Sequence, residues 1–468
     1  MKQLIIVLLV LAAACTAASG QKKYKRPQVQ TPSALDRSAP PAQPDPQSIA
    51  DLKWFEVFQD EKLQVLIREA FTYNYDLRDA VAREDAARAN LGLIRSNQFP
   101  QIGASADVVT QGTSRDGAFR VPDAVDRHRT FGSVLLNLFT YEIDVWGRLR
   151  KATAAARADL LATEEAHRAV VTTIVSDVAT AYYNLRELDY ELGIAKRTLA
   201  SREESLRLIQ MRAERGVSNN LEVAQGKELV YEASQVIPNI EQEIERQENF
   251  ISLLTGKNPQ SIERGLELTA QTVLPSVPAG LSSELLARRP DIRSAEQHLI
   301  AASARIEVAK KAYFPTISIT GFLGFESAQL TSLFNPSRAV WSFVPQVAQP
   351  IFTAGRIKSD VRLTQAERDL LLTNYERTIQ NAFREVADSL VSYRKVKEAR
   401  AQREYLVATL QERVRLAYMR YNYGVANLLE ALDADRQLFD AELNLAQSRR
   451  DELLTVVQLY KALGGGWS

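Results

Sequence analysis

The chain contains an internal repeat, and this repeat constrains its fold more than any other feature. Residues 207–223 (RLIQMRAERGVSNNLEV) and 415–431 (RLAYMRYNYGVANLLEA) are identical at nine of 17 positions, at a constant offset of 208. A repeat of this kind predicts two structural copies of one unit, which we place at 51–259 and 281–464. Other landmarks recur at offset 208 or, for the last pair, at 215: Gly147-Arg148 with Gly355-Arg356, Gly256 with Gly464, and Phe99-Pro100 with Phe314-Pro315.

Each copy begins with a helical region that ends at Phe-Pro, because proline disfavours helical backbone in the residue before it. In the first copy this region breaks near Asn74. Alternating apolar residues follow, which indicates a strand with one apolar face. They are Ile102, Ala104, Ala106 and Val108, then Ile317, Ile319, Gly321, Leu323 and Phe325. We predict strands at about 101–112, 130–146, 316–326 and 340–352. The last contains Pro345 and Pro350, which cannot donate to a strand ladder.

After each Gly-Arg pair the apolar period changes to seven. Sustained heptads indicate long coiled-coil helices. A helix over 149–214 would be about 100 Å long at about 1.5 Å per residue, and several shorter helices are the alternative. The heptad positions are Val171, Val178, Leu185, Leu192, Leu199 and Leu206 in the first copy, and Ile379, Val386, Tyr393, Val407 and Val414 in the second, where Arg400 interrupts the row.

Both long helices are expected to turn at a glycine, Gly216 or Gly424. Glycine suits the left-handed position past a helix end, and Ser218-Asn219 suits the N-cap of a following helix. The pattern therefore predicts one helical hairpin in each copy, at 148–255 and 356–463.

The N-terminus has the features of an export signal. A short positive start precedes 11 apolar residues and Cys15, which predicts a signal peptide over 1–14. The stretch LAAAC resembles a bacterial lipobox, which would make Cys15 the acylated first residue; ordinary cleavage nearby is the alternative. Residues 20–48 are rich in proline, glutamine and lysine, so we predict a lipid-anchored extended linker over 15–50.

The composition argues against several classes of protein. Lys and Arg total 58 against 57 Asp and Glu, which gives no electrostatic basis for nucleic-acid binding. Three histidines and one cysteine argue against a zinc or iron site. The sequence contains neither a nucleophile–base constellation nor a phosphate loop that would indicate an enzyme. We therefore predict no metal site and no catalytic activity.

The number of strands has a consequence for assembly. Each chain supplies about four amphipathic strands, whereas a closed membrane barrel needs at least about eight. An open sheet edge in lipid would leave its backbone groups unsatisfied. If the strands cross a membrane, several chains must therefore pool them. A trimer would supply twelve, and its helices would form a hollow tube.

Several stretches of the chain resemble the TolC-like outer-membrane factors, and among these the lipoprotein (NodT-type) branch of tripartite efflux systems. The matches cover nearly the whole mature chain in the expected order: YKRPQVQTP (24–32), WFEVFQDEKLQVLIREAFTYNYDL (54–77), YEIDVWGRLR (141–150), LSSELLARRPDIRSAEQHLIAASARIEVAKKAYFP (281–315), PIFTAGR (350–356), YNYGVANLLEALDADRQLF (421–439) and ALGGGW (462–467).

The resemblance implies a mostly helical fold with a membrane β-barrel part. A homotrimer would share one 12-stranded barrel in the outer membrane and one periplasmic α-barrel of coiled-coil helices. The implied function is a passive efflux duct that binds no cofactor and meets a periplasmic adaptor protein and a proton-driven inner-membrane transporter. A duct for type I protein secretion is the alternative, although the lipobox and the stretch RRPDI (288–292) favour efflux.

The resemblance also implies roles for residues of the two hairpin turns. At a periplasmic gate, Leu429 would form an apolar ring, Glu430 and Asp433 acidic rings, and Tyr421 and Arg436 would hold neighbouring helix pairs closed. The adaptor would contact Gly216, Val217 and Ser218 in the first turn, and Gly424 and Val425 in the second. One departure is Ala426, where some relatives carry a gate-locking arginine. The alternative for the acidic residues is a solvated helix face with an Asp433–Arg436 pair at i, i+3.

Overall fold

The structure is a computed structural model that describes residues 26–27, 52–114, 126–271 and 282–465. Cys15, the predicted signal peptide and nearly all of the predicted linker lie outside these residues. The chain divides into two compact units. Unit 1 comprises 1–28, 84–163 and 295–375, and unit 2 comprises 29–83, 164–294 and 376–468.

The described residues form helices and strands in an order that repeats. In the first copy these are α1 (Trp54–Val57), α2 (Glu61–Tyr73), α3 (Tyr75–Ser96), β1 (Ile102–Gly112), β2 (His128–Glu142), α4 (Arg148–Glu214) and α5 (Asn220–Leu254). In the second they are α6 (Ser282–Arg288), α7 (Pro290–Lys311), β3 (Thr316–Ser327), β4 (Ala339–Ala348), α8 (Arg356–Asn422) and α9 (Leu428–Ala462).

The two long helices are continuous. Helices α4 and α8 each have 67 residues, so the alternative of several shorter helices is wrong. On α4, the heptad residues Val178 and Leu185 are fully buried, whereas Leu199 and Leu206, closer to the turn, are half-buried. Arg400, which interrupts the row on α8, forms ion pairs with Glu404 at 2.8 Å and with the buried Glu452 of α9 at 2.6 Å.

The strands of unit 1 form one antiparallel sheet in the order β1-β2-β3-β4. Strand β2 ends four residues earlier than we predicted, at Glu142, because Asp144 already caps helix α4 by accepting from the backbone N–H groups of Leu149 (3.1 Å) and Arg150 (2.9 Å). Strand β4 ends at Ala348, before Pro350. It tolerates Pro345 because it is an edge strand of this sheet.

Strand register shows that the sheet has one apolar face. Directly opposed residues project from the same face, and Ala104, Leu136, Leu323 and Trp341 are opposed in one row across all four strands. The apolar residues that we predicted in both copies lie on this face. The other face carries polar groups, including Asp107, Ser133 and Glu326, which are likewise opposed in one row.

Unit 2 shows that the repeat extends to individual contacts. The Asn74 side-chain amide donates to the carbonyl of Leu254 at 2.8 Å, and the Arg289 guanidinium donates to the carbonyl of Ala462 at 2.8 Å. The two donors are 215 residues apart and the two acceptors 208, as in the sequence repeat. Arg289 belongs to the RRPDI stretch, so that stretch secures the end of α9.

Asp60 is a buried point of contact between distant segments of unit 2. It caps α2 through the N–H groups of Lys62 (2.9 Å) and Leu63 (3.3 Å). Its Oδ2 accepts from the Tyr182 hydroxyl (2.9 Å), the Leu266 N–H (2.9 Å) and the Gln271 amide (2.8 Å). Five donors therefore satisfy one carboxylate that is only 1% exposed.

The helices in the described part of the chain include none that is long and apolar enough to span a membrane.

Candidate functional site at the hairpin turns

The two hairpin turns, both in unit 2, have the same backbone geometry. Gly216 and Gly424 adopt φ of +76° and +74°, the left-handed region that favours glycine. In each turn the next N–H donates back five residues, from Val217 to the carbonyl of Arg212 at 2.9 Å and from Val425 to that of Arg420 at 3.0 Å. This is the Schellman arrangement of a helix end.

The helix that follows each turn begins at an asparagine cap. Asn219 accepts from the N–H of Glu222 at 3.0 Å, and Asn427 accepts from that of Glu430 at 3.1 Å. Val217 and Val425 are about two-thirds exposed, at 66% and 67%, so each turn presents an apolar side chain to its surroundings.

Glu430 and Asp433 lie on a solvent-accessible face of the second hairpin, close to three arginines. Arg420 lies 3.5 Å from Glu430. Asp433 contacts Arg413 of α8 at 2.8 Å and Arg436 of its own helix at 3.4 Å. Three guanidinium groups thus offset two carboxylates within this chain.

Hydrogen bonds from the Gln437 amide and from Arg413 hold the pKa of the Asp433 carboxyl below its usual range. The Asp433–Arg436 pair expected of a solvated helix face is present, and Asp433 is also bound across the hairpin. Leu429, beside these groups, is 56% exposed.

Tyr421 joins the two hairpins of the chain. Its buried hydroxyl donates to Glu222 of the first hairpin at 3.1 Å, and Ser218 also donates to that carboxylate. The guanidinium of Arg212 lies 4.6 Å from the centre of the Tyr421 ring. Burial and the Glu222 carboxylate raise the pKa of Tyr421. Arg436, predicted with Tyr421, contacts Asp433 on its own helix at 3.4 Å.

Arg202 also joins the hairpins, and sequence reasoning missed it. The side chain is 2% exposed and its Nε donates to Asp435 of α9 at 2.7 Å. The repeat contains a signal that could have found this pair. At offset 208, Arg202 corresponds to Leu410 and Asp435 to Lys227, so both partners depart from the repeat.

The family model described as outer membrane efflux protein matches residues 66–257 and 281–465, which is more than half of the chain.

Two curated relatives and one solved structure show the extent of the similarity. The solvent efflux pump outer membrane protein SrpC of Pseudomonas putida is 37% identical over 433 residues, 91% of this chain and 90% of that protein. The cation efflux system protein CusC of Escherichia coli O157:H7 is 34% identical over 466 residues, 98% of this chain and 97% of that protein. The open state of the Neisseria gonorrhoeae MtrE outer membrane channel superposes with a TM-score of 0.85 at 30% identity, covering 95% of this chain and 98% of that one.

Proposed function

The chain belongs to the outer membrane efflux protein family and is an outer-membrane efflux channel, and we propose that three copies form the passive exit duct of a tripartite pump. The four-stranded sheet carries this proposal. Its edges β1 and β4 have no strand partner within the described residues, and one face is apolar. Unpaired edges are costly in lipid, and they pair if β4 of one copy meets β1 of the next. Three copies then close a barrel of twelve strands.

The duct itself is proposed to catalyse no reaction and to bind no cofactor. Among the described residues, no group of three or more His, Cys, Asp or Glu side chains could hold a metal ion. Relatives are named for solvents and for cations, which is consistent with a duct whose selectivity resides in the attached transporter.

Deletion of the gene should sensitise the cell to solvents or to metal cations, the two classes named for these relatives, and the wild-type gene should restore resistance. If a variant that forms no channel in planar bilayers also restored resistance, that result would contradict the proposal that the protein acts as a duct.

We place the gate of this duct at the second hairpin turn. Three copies of Leu429, Glu430 and Asp433 would converge on the axis, where rings of carboxylates favour cations. Tyr421 would hold the second hairpin against the first through Glu222. Arg436 would position Asp433, and Arg413 would share that role.

Replacing both gate carboxylates should reverse the ion selectivity of the channel. In Glu430→Ala/Asp433→Ala trimers, Arg413, Arg420 and Arg436 remain without their partners, so the preference should shift from cations toward anions. Reversal potentials in planar bilayers under a KCl gradient measure this directly. Glu243→Ala is the matched control, since Glu243 is an exposed glutamate paired with Arg246 at 2.8 Å. If the double variant had the same ion selectivity as the control, Glu430 and Asp433 would not lie at the constriction.

The adaptor is proposed to contact the two turns at Gly216, Val217, Ser218, Gly424 and Val425. A cleft of about 280 Å³ adjoins them, between the last turns of α4 and α8. Its walls are apolar at Ile209 and Leu428 and cationic at Arg212 and Arg215. This chemistry suits an apolar side chain flanked by an acidic or carbonyl group on an adaptor hairpin. An inner-membrane transporter of the proton-driven type would complete the pump.

Cys15 is proposed to anchor the mature chain through lipid. Cys15→Ala should abolish labelling of the mature protein by radioactive palmitate, because the acyl chain has no other attachment point in this interpretation. The measurement is autoradiography of the immunoprecipitated protein, with total expression as the control. Labelling that persists in the variant would exclude the lipobox interpretation.

A further inference from the structure

Arg202 occupies a position that the second copy fills with a hydrocarbon side chain. Its counterpart, Leu410, is 7% exposed and packs with Val407, Ala441 and Leu445. A buried ion pair is often no more stabilising than well-packed apolar residues of similar volume. Packing alone therefore does not require an arginine here, and a directional role is the better explanation.

The guanidinium of Arg202 binds groups from both hairpins. Nη1 donates to the carbonyl of Leu229 on α5, in the first hairpin, at 2.9 Å. Nε donates to Asp435 on α9, in the second hairpin, at 2.7 Å, and the group lies 5.1 Å from the ring of Phe439. Arg202 thus fixes one side of α9 against the first hairpin.

That side is opposite the gate carboxylates. Successive helical residues are about 100° apart, so Asp435 projects about 200° from Asp433 and about 140° from Glu430. On α9, Asp435 therefore projects toward the first hairpin, whereas Glu430 and Asp433 project away from it. A rotation of α9 that moves Glu430 and Asp433 must also move Asp435 relative to Arg202.

A second carboxylate is within reach of the same guanidinium. Glu232 of α5 lies 3.9 Å from Nη1 and its side chain is 34% exposed. If Asp435 leaves, Arg202 can pair with Glu232 inside the first hairpin, so the buried charge keeps a partner. Two alternative acceptors on two separable elements provide the discrete states that a switch requires.

We propose that the Arg202–Asp435 link sets the rotation of α9 in the closed gate, and that transfer of Arg202 from Asp435 to Glu232 accompanies opening. This inference rests on the proposed channel function and assigns a positioning role to residues beside the gate. As acceptors of Arg202, Asp435 favours the closed state, whereas Glu232 favours the open one.

Three single variants test the proposal with opposite signs. Arg202→Leu introduces the residue of the second copy, and Asp435→Asn removes the charged acceptor. Asp435→Asn should raise the ratio of open to closed channels about tenfold, as expected for loss of one charge-assisted hydrogen bond. Glu232→Gln should lower that ratio, because the alternative acceptor is lost. Arg202→Leu removes the pairing from both states, so its ratio should lie between those of the other two variants. All three should retain the ion selectivity of the wild type, since Glu430 and Asp433 are unchanged.

The readout is single-channel recording in planar bilayers, beside melting of the same proteins in detergent. A merely structural role would lower the melting temperatures and leave the open ratios of intact channels equal, and that outcome would overturn the proposal. A Glu232→Gln channel that opens as readily as the Asp435→Asn channel would overturn it as well. Absence of any channel from wild-type protein would instead refute the proposed function, so the two failures are distinguishable.

Discussion

Asp60→Ala should lower the free energy of unfolding of unit 2 by at least about 3 kcal/mol, because each buried donor left without an acceptor costs about 1–3 kcal/mol. The five donors to this carboxylate come from α2, from Tyr182 of α4 and from the segment that follows α5. Alanine leaves at least two buried donors, the Leu63 N–H and the Tyr182 hydroxyl, without this acceptor. Thermal unfolding of the purified protein, followed by far-UV circular dichroism, measures the loss.

Two variants separate the contributions of Asp60. Asp60→Asn keeps one oxygen for the cap of α2 but places an amide N–H₂ against the donors at Oδ2, so its loss should be intermediate. Asn427→Ala removes a helix cap at an exposed turn and should cost only about 1 kcal/mol. If Asp60→Ala and Asn427→Ala unfold at the same temperature, the contacts of Asp60 beyond the helix cap contribute nothing to stability.

A third variant approaches the same carboxylate from its neighbour. A Cβ added at Gly265 would lie 2.1 Å from Asp60 Oδ1, closer than atoms can approach. Gly265→Ala should therefore also be strongly destabilised, while Gly424→Ala meets no atom within 4 Å and carries only the strain of its positive φ.

The local features of this fold are predictable from sequence because they depend on spacing. Heptads and the glycine turns predict the long hairpins, and period-two alternation in both copies predicts strands with one apolar face. Contacts between distant segments leave no such pattern. The hydrogen bond between Asp60 and Tyr182 joins residues 122 positions apart, and the sequence around either residue does not indicate its partner.

The gate region shows a second limit, since a repeat indicates what two copies share and not how they differ. Glu222 and Glu430 are equivalent at offset 208, yet Glu222 is bound by Tyr421 and Ser218 while Glu430 has an ion pair at 3.5 Å. The positions equivalent to Arg202 and Asp435 hold Leu410 and Lys227, so this ion pair has no counterpart in the repeat. The functional asymmetry of the hairpins therefore lies in the departures from the repeat.

Glu187→Gln should make the protein more stable than the wild type in mild alkali and remove a pH dependence. Glu187 is 3% exposed and lies one helical turn from Glu191 on α4. Arg450 of α9 lies 3.3 Å from Glu187, and Gln447 donates to Glu191 at 3.1 Å. Burial, then the hydrogen bond and charge of Glu191, raise the pKa of Glu187 from 4.5 to about 8, against the opposing effect of Arg450.

The sign follows from proton binding. Between pH 4.5 and about 8 the folded state holds a proton on Glu187 that the unfolded state has released, so stability falls as pH rises through this range. Below it, the carboxyl is protonated in both states and the penalty is absent. Glutamine is neutral throughout and can still donate to Glu191. The variant should therefore match the wild type near pH 4.5 and exceed its melting temperature at pH 8.

Glu203→Gln is the matched control, because Glu203 is an exposed glutamate on the same helix. It removes one negative charge without changing the buried pair, so its melting temperature should follow that of the wild type at every pH. A wild-type melting temperature that does not fall between pH 5 and 8, or a Glu187→Gln curve parallel to that of the control, would show that Glu187 is ionised in the folded protein. In that case Arg450 of α9, and not a proton on Glu187, stabilises the carboxylate pair on α4.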